Sequence, residues 1–247
     1  MSHAAPVGWR SSPAVRIGAS LSVATGLYGI SFGALSVAAG LSLGQTVALS
    51  ALMFTGGSQF AFIGVVSGGG AGASALGAAT LLGVRNAVYG MSMNALVRPR
   101  GWRRLLAAHV TIDESNAAAS SQTHPVEERR GFWVAGLGVF LCWNLFTVLG
   151  ALLGNALGDP ARWGLDGAAV AAFLGLLWPR LSAREPVAVA VVCALVTALT
   201  IPVLPAGLPI LVAAVVAAAL GRTRGPGAAA AQSPAALAGS DGQEAGA

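Results

Sequence analysis

The chain has 247 residues, of which 55% are hydrophobic and only 9% are charged, and its mean hydropathy is +0.72. A soluble domain carries about 25% charged residues, and transmembrane β-barrels alternate apolar with polar residues, whereas the apolar runs here are continuous. Both classes are therefore excluded, and the composition predicts an all-α, polytopic membrane protein. The net charge of +5 comes from arginines that flank apolar segments, so it does not indicate nucleic-acid binding.

Apolar segments predict a transmembrane helical bundle of about seven spans. A flexible lead is expected at residues 1–13, a transport domain at 14–221 and a disordered tail, rich in Ala, Gly, Pro and Ser, at 222–247. The spans are predicted at residues 15–42, 45–67, 73–97, 131–153, 166–177, 186–200 and 204–220. A loose similarity between residues 40–54 and 164–173 leaves open two inverted three-helix repeats plus a terminal helix.

The arginine distribution predicts the orientation of these spans. If there are seven, the loop 98–130, the loop 180–184 and the C-terminal end hold most of the arginines, and they lie on one side. The positive-inside rule then places the C-terminus in the cytoplasm and the N-terminus outside.

The first span contains Gly26-x-x-Gly29 and Gly29-x-x-x-Gly33. Small residues at these spacings let helices approach closely in lipid. We therefore expect these glycines to pack against another helix, in preference to contacting a ligand.

The second span is interrupted by Gly56-Gly57-Ser58-Gln59. Two adjacent glycines favour local unwinding, which frees backbone N–H groups at a new half-helix start that attracts a carboxylate. The alternative is a close helix crossing with a buried polar pair. A serine hydrolase is disfavoured, because the motif G-x-S-x-G would need glycine where Phe60 stands. No enzymatic activity is therefore predicted.

Arg85 lies near the middle of the third span, and residues 17–84 before it carry no charge. An arginine near the bilayer centre costs at least about 2.5 kcal/mol, so such residues usually face the bundle interior and act in transport. Tyr89, at i+4, shares the face of Arg85, whereas Asn86 points elsewhere. The alternative is an arginine that only binds backbone carbonyls of a broken helix.

Six pieces of the sequence, in order and with suitable spacing, resemble the AzlC family, the large subunit of branched-chain amino-acid exporters. They are residues 29–33 (GISFG), 50–60 (SALMFTGGSQF), 83–93 (GVRNAVYGMSM), 111–115 (TIDES), 143–154 (WNLFTVLGALLG) and 164–173 (GLDGAAVAAF). Family members usually show Asn-x-Arg-His around the third-span arginine. Here Gly83 and Asn86 take the places of the asparagine and the histidine, which argues against a histidine-based proton role.

The resemblance implies a secondary exporter of valine, leucine or isoleucine, with methionine as a further candidate. It also implies a small AzlD-like membrane subunit as partner and a location in the cytoplasmic membrane of a prokaryote. The alternative is a channel or structural subunit without coupled transport. No P-loop is present, which disfavours direct ATP drive. Neither the cysteines nor the histidines show ligand spacing, so no metal or cofactor is predicted.

An amino-acid zwitterion needs a cation, hydrogen-bond acceptors and an apolar wall. Arg85 and the half-helix start at Gly56, Gly57 and Ser58 are the candidates for binding the carboxylate. The candidate ammonium acceptors are Gln59, Asn86, Tyr89 and Asn144. The candidate wall residues are Phe54, Phe60, Phe62 and Ile63.

Proton coupling would use a carboxylate whose protonation changes with access. Asp113 and Glu114, within the TIDES piece, are the first candidates, and Asp166 is the second. We expect Glu127 and Glu128 to be solvated partners of the nearby arginines.

Overall fold

The computed structural model describes residues 8–157 and 181–222, and between them residues 162, 164, 167, 170, 171, 174, 175, 177 and 178. All regular structure in these residues is helical, which confirms the all-α part of the predicted fold class, whereas the inverted repeats stay a prediction. Asp166, part of the predicted fifth span, residues 1–7 of the predicted lead and residues 223–247 of the predicted tail lie outside the described residues. The chain divides into two units, Met1–Pro179 and Arg180–Ala247.

In the first unit, the described residues 8–157 form a short 3-10 turn at Trp9–Ser11 and seven helices. They are α1 (Pro13–Ala38), α2 (Leu43–Leu52), α3 (Gly57–Ser67), α4 (Gly72–Val97), α5 (Arg103–His109), α6 (Asp113–Ser120) and α7 (Pro125–Leu157). Two of them, α1 and the Pro125–Ala156 part of α7, are long and apolar enough to cross a membrane. The predicted count of seven spans therefore stays a prediction.

Helices α1 and α7 pack closely through glycines on both sides. A Cβ atom on Gly33 would collide with the carbonyl oxygen of Thr147, and one on Gly150 would collide with that of Ile30. Gly29 likewise faces the backbone of α7, where its Cβ would lie 2.7 Å from the carbonyl oxygen of Trp143. The structure thus confirms the packing role predicted for the first-span glycines.

The predicted second span is broken into α2 and α3, as the glycine pair predicts. Gly56 has a φ of +58°, a left-handed conformation that glycine adopts without steric cost, and α3 begins at Gly57. Gln59 joins the two half-helices, because its Nε2 donates to the carbonyl oxygens of Leu49 and Ser50, each at 3.1 Å. Both carbonyls lie in the last turn of α2. That of Leu49 also accepts from the amide of Met53, whereas that of Ser50 is one of the acceptors that a helix end leaves without an intrahelical donor.

The segment between α4 and α7 is folded into the unit by α5 and α6. Ala107, Val110 and Ala119 form a buried cluster with Met93 of α4 and Phe132 of α7. Burial of these small apolar side chains holds α5 and α6 against the C-terminal part of α4 and the first part of α7.

The expectation that Glu127 is solvated is wrong. Its residue surface is 8% exposed, and its carboxylate accepts a hydrogen bond from the Ser12 hydroxyl and pairs with Arg130 at 2.7 Å. The pairing with an arginine was expected, but the burial was not, because Ser12 comes from the start of α1. Glu128 is half-buried.

The second unit contains α8 (Arg184–Thr200) and α9 (Leu208–Arg222), which pack against each other. The Sγ atom of Cys193 lies 3.6 Å from the carbonyl oxygen of Ala213, so this thiol takes part in the helix contact. Within α8, the hydroxyls of Thr197 and Thr200 donate to carbonyls one turn earlier. Such internal bonds satisfy threonine inside an apolar helix.

Candidate functional site

A partly open cavity of about 350 Å³ lies in the first unit, between α1, the α2–α3 break, α4, α6 and α7. Its lining is mostly apolar and includes Phe54 and Phe60, as predicted for the substrate wall. The remaining lining residues are Leu21, Thr25, Tyr28, Thr55, Gly56, Gly57, Arg85, Ile112, Asp113, Glu114, Ala117, Val139, Trp143, Ala171 and Gly175. Five of the predicted site residues, Gly56, Gly57, Arg85, Asp113 and Glu114, are thus brought together.

Arg85 and Asp113 form an ion pair at this cavity, with Nη2 and Oδ2 2.7 Å apart. Their side chains are 28% and 18% exposed, so both charges are largely withdrawn from solvent. Asp113 is the first residue of α6, where the helix dipole favours a negative charge. Arg85 also has a buried Nε atom with no hydrogen-bond partner among the described residues.

Glu114, next to Asp113, forms its hydrogen bond with a different helix. The hydroxyl of Thr25 on α1 donates to Glu114 Oε1 at 3.2 Å. The two adjacent carboxylates therefore have different partners, an arginine on α4 for Asp113 and a threonine on α1 for Glu114. Within the described lining of the cavity, the charged residues are these two acids and one arginine.

The N-terminus of α3 also faces the cavity through Gly56 and Gly57. No side chain among the described residues caps this helix start. The amides of Gln59 and Phe60 both donate to the carbonyl oxygen of Gly56, at 3.0 and 3.2 Å. The two amides before them, those of Gly57 and Ser58, come before the first intrahelical hydrogen bond of α3. They provide a positive helix end at the cavity wall.

The structure places the other predicted ligands away from the described lining of this cavity. Ser58 and Gln59 are fully buried, and Ser58 faces Gly83 of α4. Asn144 donates to the carbonyl oxygen of Phe140 at 2.8 Å, within its own helix. Asn86 and Tyr89 are half-buried on α4. Of the predicted wall, Ile63 belongs to the apolar core and Phe62 packs against that core.

Sequence reasoning missed four residues of the cavity with polar groups: Thr25, Tyr28, Thr55 and Trp143. Thr55 Oγ1 and Trp143 Nε1 are buried and have no partner among the described residues. For Thr55 and Trp143 a signal was present, since each lies beside a residue that was selected, Gly56 and Asn144. Thr25 carries no such signal, because only the fold brings α1 beside α6.

A bundle of apolar helices with a broken helix and an ion pair around a partly open cavity is typical of membrane transport proteins. A family model described as AzlC protein matches residues 20–157, more than half of the chain, and the chain therefore belongs to the AzlC family. This family comprises membrane proteins related to branched-chain amino-acid transport. The matched range extends from α1 to the end of α7 and contains most of the cavity lining. No curated protein and no solved structure matches the chain.

Proposed function

We propose that the chain is the large subunit of a secondary exporter that carries valine, leucine and isoleucine, and also methionine, out of a prokaryotic cell across the cytoplasmic membrane. It is not an enzyme, and it works with a small AzlD-like membrane subunit. The observation that carries this proposal is the Arg85–Asp113 ion pair within a cavity that is otherwise mostly apolar. Family membership supports the same class of solute.

The polar groups of the cavity suit the charged end of an amino acid. Arg85 and the uncapped N-terminus of α3 are suited to a carboxylate, because a guanidinium and backbone amides are both donors for an anion. Asp113 and the hydroxyl of Thr55 are suited to an ammonium, which donates up to three hydrogen bonds. These groups add to the acceptors predicted from the sequence, of which Gln59 Oε1 and Asn86 Oδ1 are buried without a hydrogen-bond partner among the described residues.

The apolar walls suit a branched aliphatic side chain. Phe54 and Phe60 face the cavity from the broken helix, and Ile112 and Val139 face it from the other elements. Burying a Val, Leu or Ile side chain is worth about 1.5–3 kcal/mol, which would favour these solutes over small polar amino acids. For coupling to protons, Asp113 and Glu114 remain the first candidates and Asp166 the second.

The proposal is tested by efflux of labelled leucine from preloaded cells that express the full chain with an AzlD-like subunit. We expect Arg85→Ala to lower the efflux rate at least about tenfold, because a hydrogen bond to a charged group contributes about 1.5–3 kcal/mol. Arg85→Lys keeps the charge but not the planar pair of donors, so it should lower the efflux rate less than Arg85→Ala does. Arg103→Ala is the matched control, since Arg103 is exposed beside the ring of Trp102.

Membrane levels of all variants must be equal for this comparison. Efflux no faster than in cells that lack the chain would contradict the proposal. Efflux that does not saturate with internal leucine and does not respond to ion gradients would indicate a channel instead.

A further inference from the structure

The cation of the proposed site is already occupied by an acid of the same chain. Arg85 pairs with Asp113 at 2.7 Å, and both residues line the cavity. The pairing leaves the buried Nε–H of Arg85 without a partner among the described residues. An unsatisfied buried donor is unfavourable, so the guanidinium is not in its best hydrogen-bonding arrangement. A carboxylate that arrives from the cavity therefore meets a cation that can exchange its partner.

Exchange at Arg85 would release the carboxylate of Asp113 inside the cavity. Within the described lining no second cation is present to receive it, and the neighbouring Glu114 is itself acidic and bound to Thr25. A charge that is largely shielded from solvent and has no oppositely charged partner is strongly unfavourable. The carboxylate is therefore displaced at little cost only by a molecule that also brings a cation, and an α-amino acid carries both charges on adjacent groups.

We propose that a zwitterion enters by partner exchange: its carboxylate replaces Asp113 on Arg85, and its ammonium binds the released Asp113. The ion pair then selects α-amino acids over molecules with the same carbon skeleton but a single charge. A 2-oxo acid would leave Asp113 unpaired, and an amine would leave Arg85 unpaired. This inference rests on the proposed function and adds to it the group that rejects singly charged analogues.

The test compares three competitors for labelled leucine on the full-length chain purified together with its AzlD-like subunit: leucine, its 2-oxo acid 4-methyl-2-oxopentanoate, and its amine 3-methylbutylamine. On the wild type, both analogues should compete at least about tenfold more weakly than leucine, because each leaves one withdrawn charge unpaired. With Asp113→Asn, the affinity of the 2-oxo acid should rise about tenfold relative to that of leucine, because no anion is left unpaired. The relative affinity of the amine should not rise.

Glu114→Gln is the matched control. It replaces the neighbouring carboxyl group of the same cavity with an amide of similar size but leaves the Arg85–Asp113 pair in place. It should continue to reject the 2-oxo acid, whereas a general effect of replacing an acid in this cavity would relax the selectivity of both variants. Asp113→Ser provides a second variant of the same position, and a single symmetric gel-filtration peak establishes that each protein is folded.

Two negative results have different meanings. If the wild type binds leucine but Asp113→Asn and Asp113→Ser reject the 2-oxo acid as strongly as the wild type does, partner exchange is wrong and the proposed function stands. If the wild type binds no leucine, the proposed function fails, and partner exchange fails with it.

Discussion

At the scale of single residues, Arg85 and Glu127 show two ways of satisfying a charge in an apolar chain. Arg85 faces a cavity and binds an acid from another helix, whereas Glu127 is buried against Arg130 one turn away and Ser12 of α1. The uncharged run before Arg85 was enough to predict that it faces the interior. Its partner could not be predicted, because Asp113 is distant in sequence and meets Arg85 only through the packing of α6.

The buried carboxylate of Glu127 gives a prediction on stability. Arg130→Ala removes its cation and should lower the free energy of unfolding by about 2 kcal/mol, because one partner of a mostly buried pair is left alone. Arg129→Ala, at the exposed neighbouring position, is the control and should change stability little. Thermal unfolding of the purified variants measures the difference, and equal melting temperatures would contradict the structural role of the pair.

At the scale of helices, the glycine patterns predicted two features correctly. The spacing of glycines in the first span indicated close packing, and Gly56-Gly57 indicated a helix break, and both are present. The sequence did not reveal that α7 is the partner of α1, because any helix with small residues would fit the same pattern. It also did not reveal that the amide nitrogen of Gln59 binds the end of α2, while the Oε1 atom predicted as an ammonium acceptor has no partner among the described residues.

The α1–α7 contact predicts a sharp difference between glycines. Gly150→Ala should destabilise the protein by about 1–3 kcal/mol, because its Cβ would overlap the backbone of Ile30. Gly64→Ala is the matched control, since Gly64 lies within α3 and its Cβ would have open space. There the change should be neutral or slightly stabilising, as alanine is the better helix former. Equal melting temperatures for the two variants would contradict the close packing of α1 and α7.

At the scale of the whole molecule, composition predicted the all-α class and the motifs predicted the family, and both are confirmed. The number of membrane spans could not be established from the sequence. Apolar length does not distinguish a helix that crosses the membrane from two half-helices, as residues 43–67 show. The partner subunit leaves no pattern that could be recognised in one sequence, and it remains part of the proposal.

The arginine distribution gives a prediction on topology. An odd number of spans with most arginines inside places the C-terminus in the cytoplasm and the N-terminus outside. Reporter fusions that are active on only one side of the membrane, attached to each end in turn, measure this directly. Opposite locations are expected, and both ends on the same side would require an even number of crossings.

The hydrogen bonds of the Gln59 amide have a consequence for insertion of the new chain into the membrane. Helices α2 and α3 have 10 and 11 residues, so each is only about 15 Å long, about half of the hydrocarbon core of a bilayer. Neither is long enough to cross a bilayer alone, so on the predicted topology residues 43–67 would be inserted as one segment. The carbonyl group of Ser50 at the break would then meet lipid before the other helices arrive. Because Gln59 reaches it from within the same segment, the newly made segment would satisfy it without waiting for the rest of the chain.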